Sequence, residues 1–324
     1  MISRRQLGLG FGAAGAVIAM PRVLRAQAYP SQDISFICAF APGSGADVLV
    51  RYFAAKIGPL AGRNIIVENK VGAAGRMALE HLARAKPDGH TIFVHAASGA
   101  AASMHLVKRP VVDVPKQIRV AATINEQAYV IVVDGASPHK SFNDLTAALK
   151  AKGDKASYGA ANQSAQIMSE IYKLKIGAPT VQVLYKNSKD MMNDLANGQL
   201  EFGAIDPVLA LAQQRAGRLR ILAISSSQRM KAMGDLPTMA EHGVPVNITG
   251  WWAAMVSAET PQPVRDQINK WFVAVVSSPE AAEFLTNAGG DPLIMSQADA
   301  QARLVREIDD WAEWVRVAKI EPQG

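Results

Sequence analysis

Residues 40–58, "FAPGSGADVLVRYFAAKIG", join an apolar run to an amphipathic pattern through one proline and two glycines. The residues before them, "DISFICAF" at 33–40, are apolar and β-rich, so the stretch predicts a strand, a tight turn and a helix. Such a turn leaves the first backbone N–H groups of the helix without partners, next to the positive end of the helix dipole. The stretch therefore predicts a position for an anion, which could be a phosphate, a carboxylate or nothing but water.

The same alternation of strand and helix continues along the chain. An apolar run at 64–69 precedes a helical pattern at 75–85, and a third run at 90–97 precedes an alanine-rich stretch. A second set of runs and helical patterns lies between residues 141 and 227. Short β-branched runs that alternate with helical patterns predict an α/β fold built on parallel sheets.

The length of the chain predicts two lobes, because it exceeds the usual size of one hydrophobic core. Two long apolar segments, near 120–133 and 245–257, are expected to cross between the lobes. We expect residues 29–127 and 251–324 to form lobe I and residues 128–250 to form lobe II. Ligands bind beyond the carboxyl ends of parallel strands, so the cleft between the lobes is the predicted site.

The first 28 residues have the pattern of a secretory signal peptide. Arg4 and Arg5 precede an apolar core at 6–20, and "AQA" at 26–28 supplies the small residues of a cleavage site. The paired arginines leave the twin-arginine and the general export route both open. A retained anchor is the alternative to cleavage, and the expected location is the periplasm.

Charge and cysteine content exclude several classes of protein. Removal of residues 1–28 takes away four arginines and no acidic residue, so the formal net charge falls from +6 to +2. Nucleic-acid binding would require a clustered basic face, which these scattered charges do not provide. Cys38 is the only cysteine and lies in an apolar run, which predicts a buried, unreactive thiol.

The turn after the first strand does not match the phosphate-binding motifs. A P-loop places Lys after its last glycine, whereas here Asp47 follows the second glycine by two positions. Asp47 can cap the helix or face a ligand, and both alternatives stay open. Gly45 is expected to need the conformational freedom of glycine. Ser44 could act as a nucleophile in this turn, but no base is tied to it by spacing.

The histidines are expected to be structural, as are the tryptophans apart from one member of an adjacent pair. The six histidines lack metal-binding spacing, and His95 is expected to be a satisfied or exposed residue at a strand end. Trp251 and Trp252 are adjacent, so a strand would direct them to opposite faces, one into the core and the other towards the cleft or a helix. Trp311 and Trp314 have helical spacing and are expected to pack onto lobe I. No metal or cofactor is expected.

Several motifs, taken in order, resemble one protein family over essentially the whole mature chain. They include "FAPGSGAD" at 40–47, "VENKVGAAG" at 67–75, "AKPDGHTIFV" at 85–94, "GWWAAMVSAETP" at 250–261 and "KIEPQ" at 319–323. The chain resembles the solute-binding proteins of tripartite tricarboxylate transporters, the Bug family of periplasmic receptors.

This resemblance implies a two-lobed type II periplasmic-binding-protein fold that closes over a small organic carboxylate. It implies a monomer without catalytic activity, which delivers its ligand to membrane transporter subunits. Ser44 and Ala46 replace the family's usual Gly and Thr, which changes the lining of the implied pocket. The ligand of a relative therefore does not identify the ligand of this chain. The ligand-binding residues that it implies are Ala41, Ser44, Gly45, Ala46, Asp47, Ala97, Ser98, Ala161, Gln163, Ser164, Tyr185 and Asp206.

Two other functions are compatible with the same fold. The liganded form could present its ligand to a sensor protein rather than to a transporter. The chain could also be an exported hydrolase or isomerase.

Overall fold

The computed structural model describes residues 29–72, 75–160, 162–185 and 188–322. The predicted signal peptide, 1–28, lies outside the described residues. Across the ranges that are described, none of the helices has both the length and the apolar character needed to cross a membrane.

Lobe I is built on a six-stranded sheet whose strands come from both ends of the chain. Its first half contains β1 (Ile34–Cys38), α1 (Gly45–Ala61), β2 (Ile65–Asn69), α2 (Arg76–Arg84), β3 (Thr91–Ala96), α3 (Ala97–Leu106), α4 (Val114–Gln117) and β4 (Ile118–Ala128).

Lobe II is the intervening unit and contains a five-stranded sheet. Its elements are β5 (Val130–Asp134), α5 (Phe142–Lys152), β6 (Ser157–Ala160), α6 (Gln163–Ile176), β7 (Val181–Leu184), α7 (Ser188–Ala196), β8 (Phe202–Ile205), α8 (Pro207–Arg215) and β9 (Leu219–Ile224).

The remaining chain returns to lobe I after two short 3-10 turns, at Lys231–Met233 and Ala240–His242. It adds β10 (Thr249–Ser257), α9 (Gln262–Val276), α10 (Pro279–Asn287), β11 (Gly290–Pro292) and α11 (Gln297–Val317).

Both sheets are mixed rather than wholly parallel, which corrects the expectation from the sequence. The six-stranded sheet has the order β11-β4-β10-β3-β1-β2, and the five-stranded sheet has the order β7-β6-β8-β5-β9. Strands joined by crossover helices pair in parallel, as β1 does with β2 and β3. The strands next to the crossings, β5 and β10, pair antiparallel with both of their neighbours.

The two connections between the sheets are hydrogen-bonded to each other. The chain passes from β4 to β5 through the single residue Tyr129, and it leaves β9 at Ser225. These two residues form a pair of hydrogen bonds with each other. The backbone N–H of Tyr129 donates to Ser225 Oγ, and the backbone N–H of Ser225 donates to the carbonyl of Tyr129, both at 2.9 Å. The buried Ser225 hydroxyl also donates to the carbonyl of Ile248, just before β10. This closed network ties the two connections together, and we refer to it as the hinge region.

The core residues follow the predicted pattern at several points. Cys38 is buried, as expected. Trp251 and Trp252 are both buried but belong to different core clusters, which confirms that they lie on opposite faces of β10. Trp311 packs into the same cluster as Trp251, with Trp314 against it, so α11 covers lobe I as the spacing predicts. α11 also contacts α6 of lobe II.

Candidate functional site

A cleft of about 680 Å³ opens between the lobes at the carboxyl ends of β1, β3 and β6. Its position is the one that the alternation of strands and helices predicts. The described residues that line it are Ala39, Phe40, Val71, Gly72, Gly75, Arg76, His95, Ala96, Ser98, Gly99, Ala102, Ser103, Leu106, Val107, Tyr129, Asn162, Gln163, Ser164 and Trp311.

Two helix N-termini, one from each lobe, reach this cleft. α3 begins directly after β3, and no side chain caps its first turn, which carries Ser98 and Gly99. α6 begins after β6, and the side chain of its cap residue Asn162 accepts a hydrogen bond from the amide of Ala165, at 2.9 Å. First-turn amides of both helices therefore stay available, and both dipoles favour a negative charge in the cleft.

Tyr129 lies where the hinge meets the cleft. Burial raises the pKa of its hydroxyl to about 12, and a hydrogen bond with Ser164 partly offsets that rise. A Cβ placed on Gly250 would lie 3.5 Å from the Tyr129 hydroxyl and 3.7 Å from Ser98 Oγ, so both hydroxyls border the same glycine of β10. Tyr129 thus lies beside the start of α6 of lobe II and next to a strand of lobe I.

An aromatic cluster forms one wall of the cleft. The ring of Phe40 lies 5.2 Å from that of His95 and 6.0 Å from that of Trp252, and its side chain is 37% exposed. His95 also stacks on Phe93 at 4.7 Å. Burial in these apolar surroundings lowers the pKa of His95 to about 4, so its imidazole is neutral at physiological pH. Within the part of the chain that the structure describes, its Nδ1 atom has no hydrogen-bond partner.

Arg76, at the start of α2, is the strongly basic side chain among the described residues of the lining. Its Nε lies 3.4 Å from Glu80 Oε1, one helical turn further on, with geometry too poor for a hydrogen bond. Glu80 is also 3.8 Å from Arg84. Arg76 is therefore a partly neutralised cation at the edge of the cleft.

The loop before α1 forms a closed hydrogen-bonded unit. Ser44 caps α1 by accepting from the amide of Asp47, at 3.2 Å. The Asp47 carboxylate accepts from the amide of Gly43 at 2.8 Å, from Arg51 Nε at 2.8 Å and from Asn69 Nδ2 at 2.7 Å. Asp47 is only 1% exposed. Asp47 therefore links the start of α1 to the preceding loop, and its carboxylate oxygens already accept these three hydrogen bonds.

Gly43, and not Gly45, has the conformation that requires glycine in this loop, which corrects the expectation for Gly45. Gly43 has φ +80°, whereas Gly45 is the first helical residue and lies outside the left-handed region. Ala41 and Gly45 are exposed, and Ala46 packs against the core. None of the predicted residues from 41 to 47 lines the cleft in this structure. A Cβ on Gly45 would lie 3.9 Å from Val208, so the loop faces α8 of lobe II.

The other predicted residues divide into two groups. Ser98, Gln163 and Ser164 lie together on the cleft, while Ala97 is fully buried behind it. The Tyr185 hydroxyl donates to Asp194 at 2.6 Å and does not line the cleft.

Asp206 is also engaged elsewhere. Its carboxylate caps α8 through the amide of Leu209, and burial raises its pKa. Ala161 lies outside the described residues.

Sequence reasoning did not identify several residues of the lining, among them Phe40, Arg76, Tyr129 and Trp311. His95 was expected to be structural, yet it faces the cleft. Its position at the end of β3 was the available signal, because strand ends in both sheets meet there. The other four come from the loop after β1, the connection between β4 and β5, the start of α2 and the C-terminal helix. Their approach to the cleft depends on tertiary packing.

Comparisons with known proteins agree on one family. The family model described as "Tripartite tricarboxylate transporter family receptor" matches residues 49–319. Protein BugT of Bordetella pertussis (strain Tohama I) is 27% identical over 312 residues, which is 95% of this chain and 95% of that protein.

Solved structures are similar over most of the chain. One described as a periplasmic transporter has a TM-score of 0.79 and 28% sequence identity, and the match covers 91% of this chain and 100% of the solved chain. R. palustris Rpa4515, solved with adipate, has a TM-score of 0.80 and 25% identity with the same coverage. These matches confirm the expected two-lobed periplasmic-binding fold.

Proposed function

Because this chain belongs to the tripartite tricarboxylate transporter receptor family, we propose that it captures a small organic carboxylate between its lobes and delivers it to a membrane transporter. The protein is exported, with residues 1–28 as its signal peptide, and it works in the periplasm as a monomer. The similar structure described as a periplasmic transporter supports this location. The adipate in the R. palustris relative supports a carboxylate as the ligand class.

The observation that carries the proposal is the convergence of two helix N-termini on one cleft. The first turns of α3 and α6 present backbone amides together with the hydroxyls of Ser98 and Ser164. A carboxylate offers about four lone-pair positions for such donors and needs no fixed cation if they are filled. Since the two helices belong to different lobes, an anion held by both favours the closed arrangement.

The first loop supports a binding role over a hydrolytic one. The Ser44 hydroxyl, which an exported hydrolase would use as its nucleophile, accepts from the amide of Asp47 and caps α1. The carboxylate of Asp47 is held by Arg51 and Asn69. The turn is thus stabilised as a helix start, and we assign the protein no catalytic activity.

The proposal is tested by calorimetric titration of the mature chain with carboxylates and with their matched primary amides. Carboxylates should bind, and the corresponding amides should bind at least tenfold more weakly because they carry no charge for the helix N-termini. Equal affinity for acid and amide would contradict the proposal. In the same assay, Ser98→Ala and Ser164→Ala should each lose about 0.5 to 1.5 kcal/mol of binding free energy. The exposed Ser31→Ala serves as the control.

Oligomeric state and closure of the lobes are tested separately. Light scattering after gel filtration should give the mass of one chain. Small-angle scattering should show a more compact particle when the ligand is present, because both lobes contact it. Unchanged scattering at saturation would contradict closure around the ligand.

A further inference from the structure

The charges of the cleft are few for a receptor of anionic ligands. Among the described residues that line it, Arg76 is the one side chain with a permanent positive charge, and it is already 3.4 Å from Glu80. Each carboxylate that is taken out of water needs a cation or a full set of donors. One carboxylate can be satisfied by the helix N-termini, but a second or third would have to share Arg76 with Glu80.

His95 does not supply a second cation. It is 6% exposed, and its ring lies 4.7 Å from Phe93, 5.2 Å from Phe40 and 5.8 Å from Trp252. Protonation would place a charge among three aromatic rings with Nδ1 unpaired. The imidazole therefore belongs to the apolar wall and not to the anion site.

The wall itself suits a flat apolar group. Phe40 is part of the loop after β1, packs on His95 and Trp252, and leaves about a third of its side chain exposed. Aromatic rings prefer offset or edge contacts with other rings at such an exposed face. Leu106, Val107 and Val71 extend the apolar lining of the same cleft. Trp311 also lines the cleft, and its buried indole N–H has no hydrogen-bond partner among the described residues.

We propose that the cleft selects a monocarboxylic acid with an aromatic body over di- and tricarboxylic acids. The carboxylate binds at the first turns of α3 and α6, and the ring packs against Phe40, which acts as the specificity-determining residue. This inference rests on the proposed function and narrows its ligand class.

The first test is a comparison of ligands by calorimetric titration of the mature protein. The probes are phenylacetate, phenylacetamide, adipate and citrate. Phenylacetate should bind at least tenfold more tightly than the other three. Tighter binding of adipate or citrate would overturn the inference and leave the carboxylate receptor intact. Equal binding of phenylacetate and phenylacetamide, or failure of every acid to bind, would overturn both.

The second test asks whether Phe40 recognises the body of the ligand. Phe40→Ala should weaken phenylacetate binding at least tenfold and propionate binding less than threefold, because propionate has no ring to pack. Phe40→Tyr should bind phenylacetate with an affinity within threefold of that of the wild-type protein. The control Ile294→Ala removes another exposed apolar side chain, away from the cleft, and should change neither affinity.

Each variant is first checked for a cooperative thermal transition, so that loss of binding is not confused with loss of folding. If Phe40→Ala lost equal factors of affinity for phenylacetate and for propionate, the proposed role of the Phe40 ring would be overturned. Unchanged phenylacetate binding in Phe40→Ala would do the same.

Discussion

Replacement of Asp47 by alanine gives the sharpest test of how the first loop is held. The carboxylate of Asp47 is 1% exposed and accepts hydrogen bonds from Gly43, Arg51 and Asn69. Asp47→Ala leaves the Gly43 amide and the Asn69 side chain without this acceptor, at about 1 kcal/mol each. The half-exposed Arg51 adds little, because its charge is screened by solvent. We expect the free energy of unfolding to fall by about 2 to 3 kcal/mol.

The pH dependence of this loss provides an independent signature. The hydrogen bond with Arg51, followed by those with Asn69 and Gly43, lowers the pKa of Asp47 to about 2. An unfolded aspartate has a pKa of about 3.9, so the folded state holds the carboxylate in its charged form more strongly. The stabilisation is complete above pH 4 and is lost as the pH falls through 2. The difference between the wild type and Asp47→Ala should therefore shrink on acidification.

Urea unfolding followed by circular dichroism at pH 7, 4 and 2.5 measures this difference. Asp309→Ala, an exposed aspartate on α11, is the matched control and should change stability by less than about 0.5 kcal/mol. Ligand affinity should change less than threefold, because the carboxylate does not face the cleft. The reasoning fails if stability is unchanged at pH 7, or if affinity falls tenfold while stability is preserved.

Three further predictions follow from single residues. Gly89→Ala should lower the free energy of unfolding in urea by more than about 2 kcal/mol, because its new Cβ would clash with Val264. The control Gly62→Ala has a similar positive φ but open space around it, and should cost about 1 kcal/mol. Equal losses in the two variants would contradict the steric argument. Burial raises the pKa of Glu307 to about 7, so the folded state gains stability as the pH falls from 8 to 5, and Glu307→Gln should remove that gain; an unaltered pH profile would count against it. Because His95 is neutral, affinity for phenylacetate by titration calorimetry should stay constant from pH 8 to 6, and a rise towards pH 6 would mean that the ring takes up a proton on binding.

The pattern of strands and helices was predictable because each element carries its own periodicity and caps. The start of α1 is an example: Asp47 sits in its first turn, as the sequence indicates, and the structure adds Ser44 as its cap. The mixed pairing of the sheets was not predictable in the same way. The direction of β10 depends on where a segment returns from lobe II, and nothing local in Thr249–Ser257 encodes that direction.

The candidate site divides along the same line. Ser98, Gln163 and Ser164 follow strand ends and could be identified from topology alone. Phe40 also follows a strand end, but its aromatic side chain, like that of Trp311, has the same sequence pattern whether it faces a core or a cleft. Packing between distant segments decides that question, and the sequence of either segment alone does not contain it.

The position of Tyr129 explains how ligand binding can be coupled to the angle between the lobes. Its backbone N–H and C=O are bound to Ser225 in the hinge, while its hydroxyl bonds to Ser164 at the start of α6. A carboxylate at the N-terminus of α6 therefore lies next to Ser164, the residue to which the Tyr129 hydroxyl is bonded. A ligand shifts an equilibrium between open and closed forms only by its difference in affinity for the two. An anion held by α6 alone would have equal contacts in both forms, so closure depends on the additional donors of Ser98 and Gly99 from lobe I.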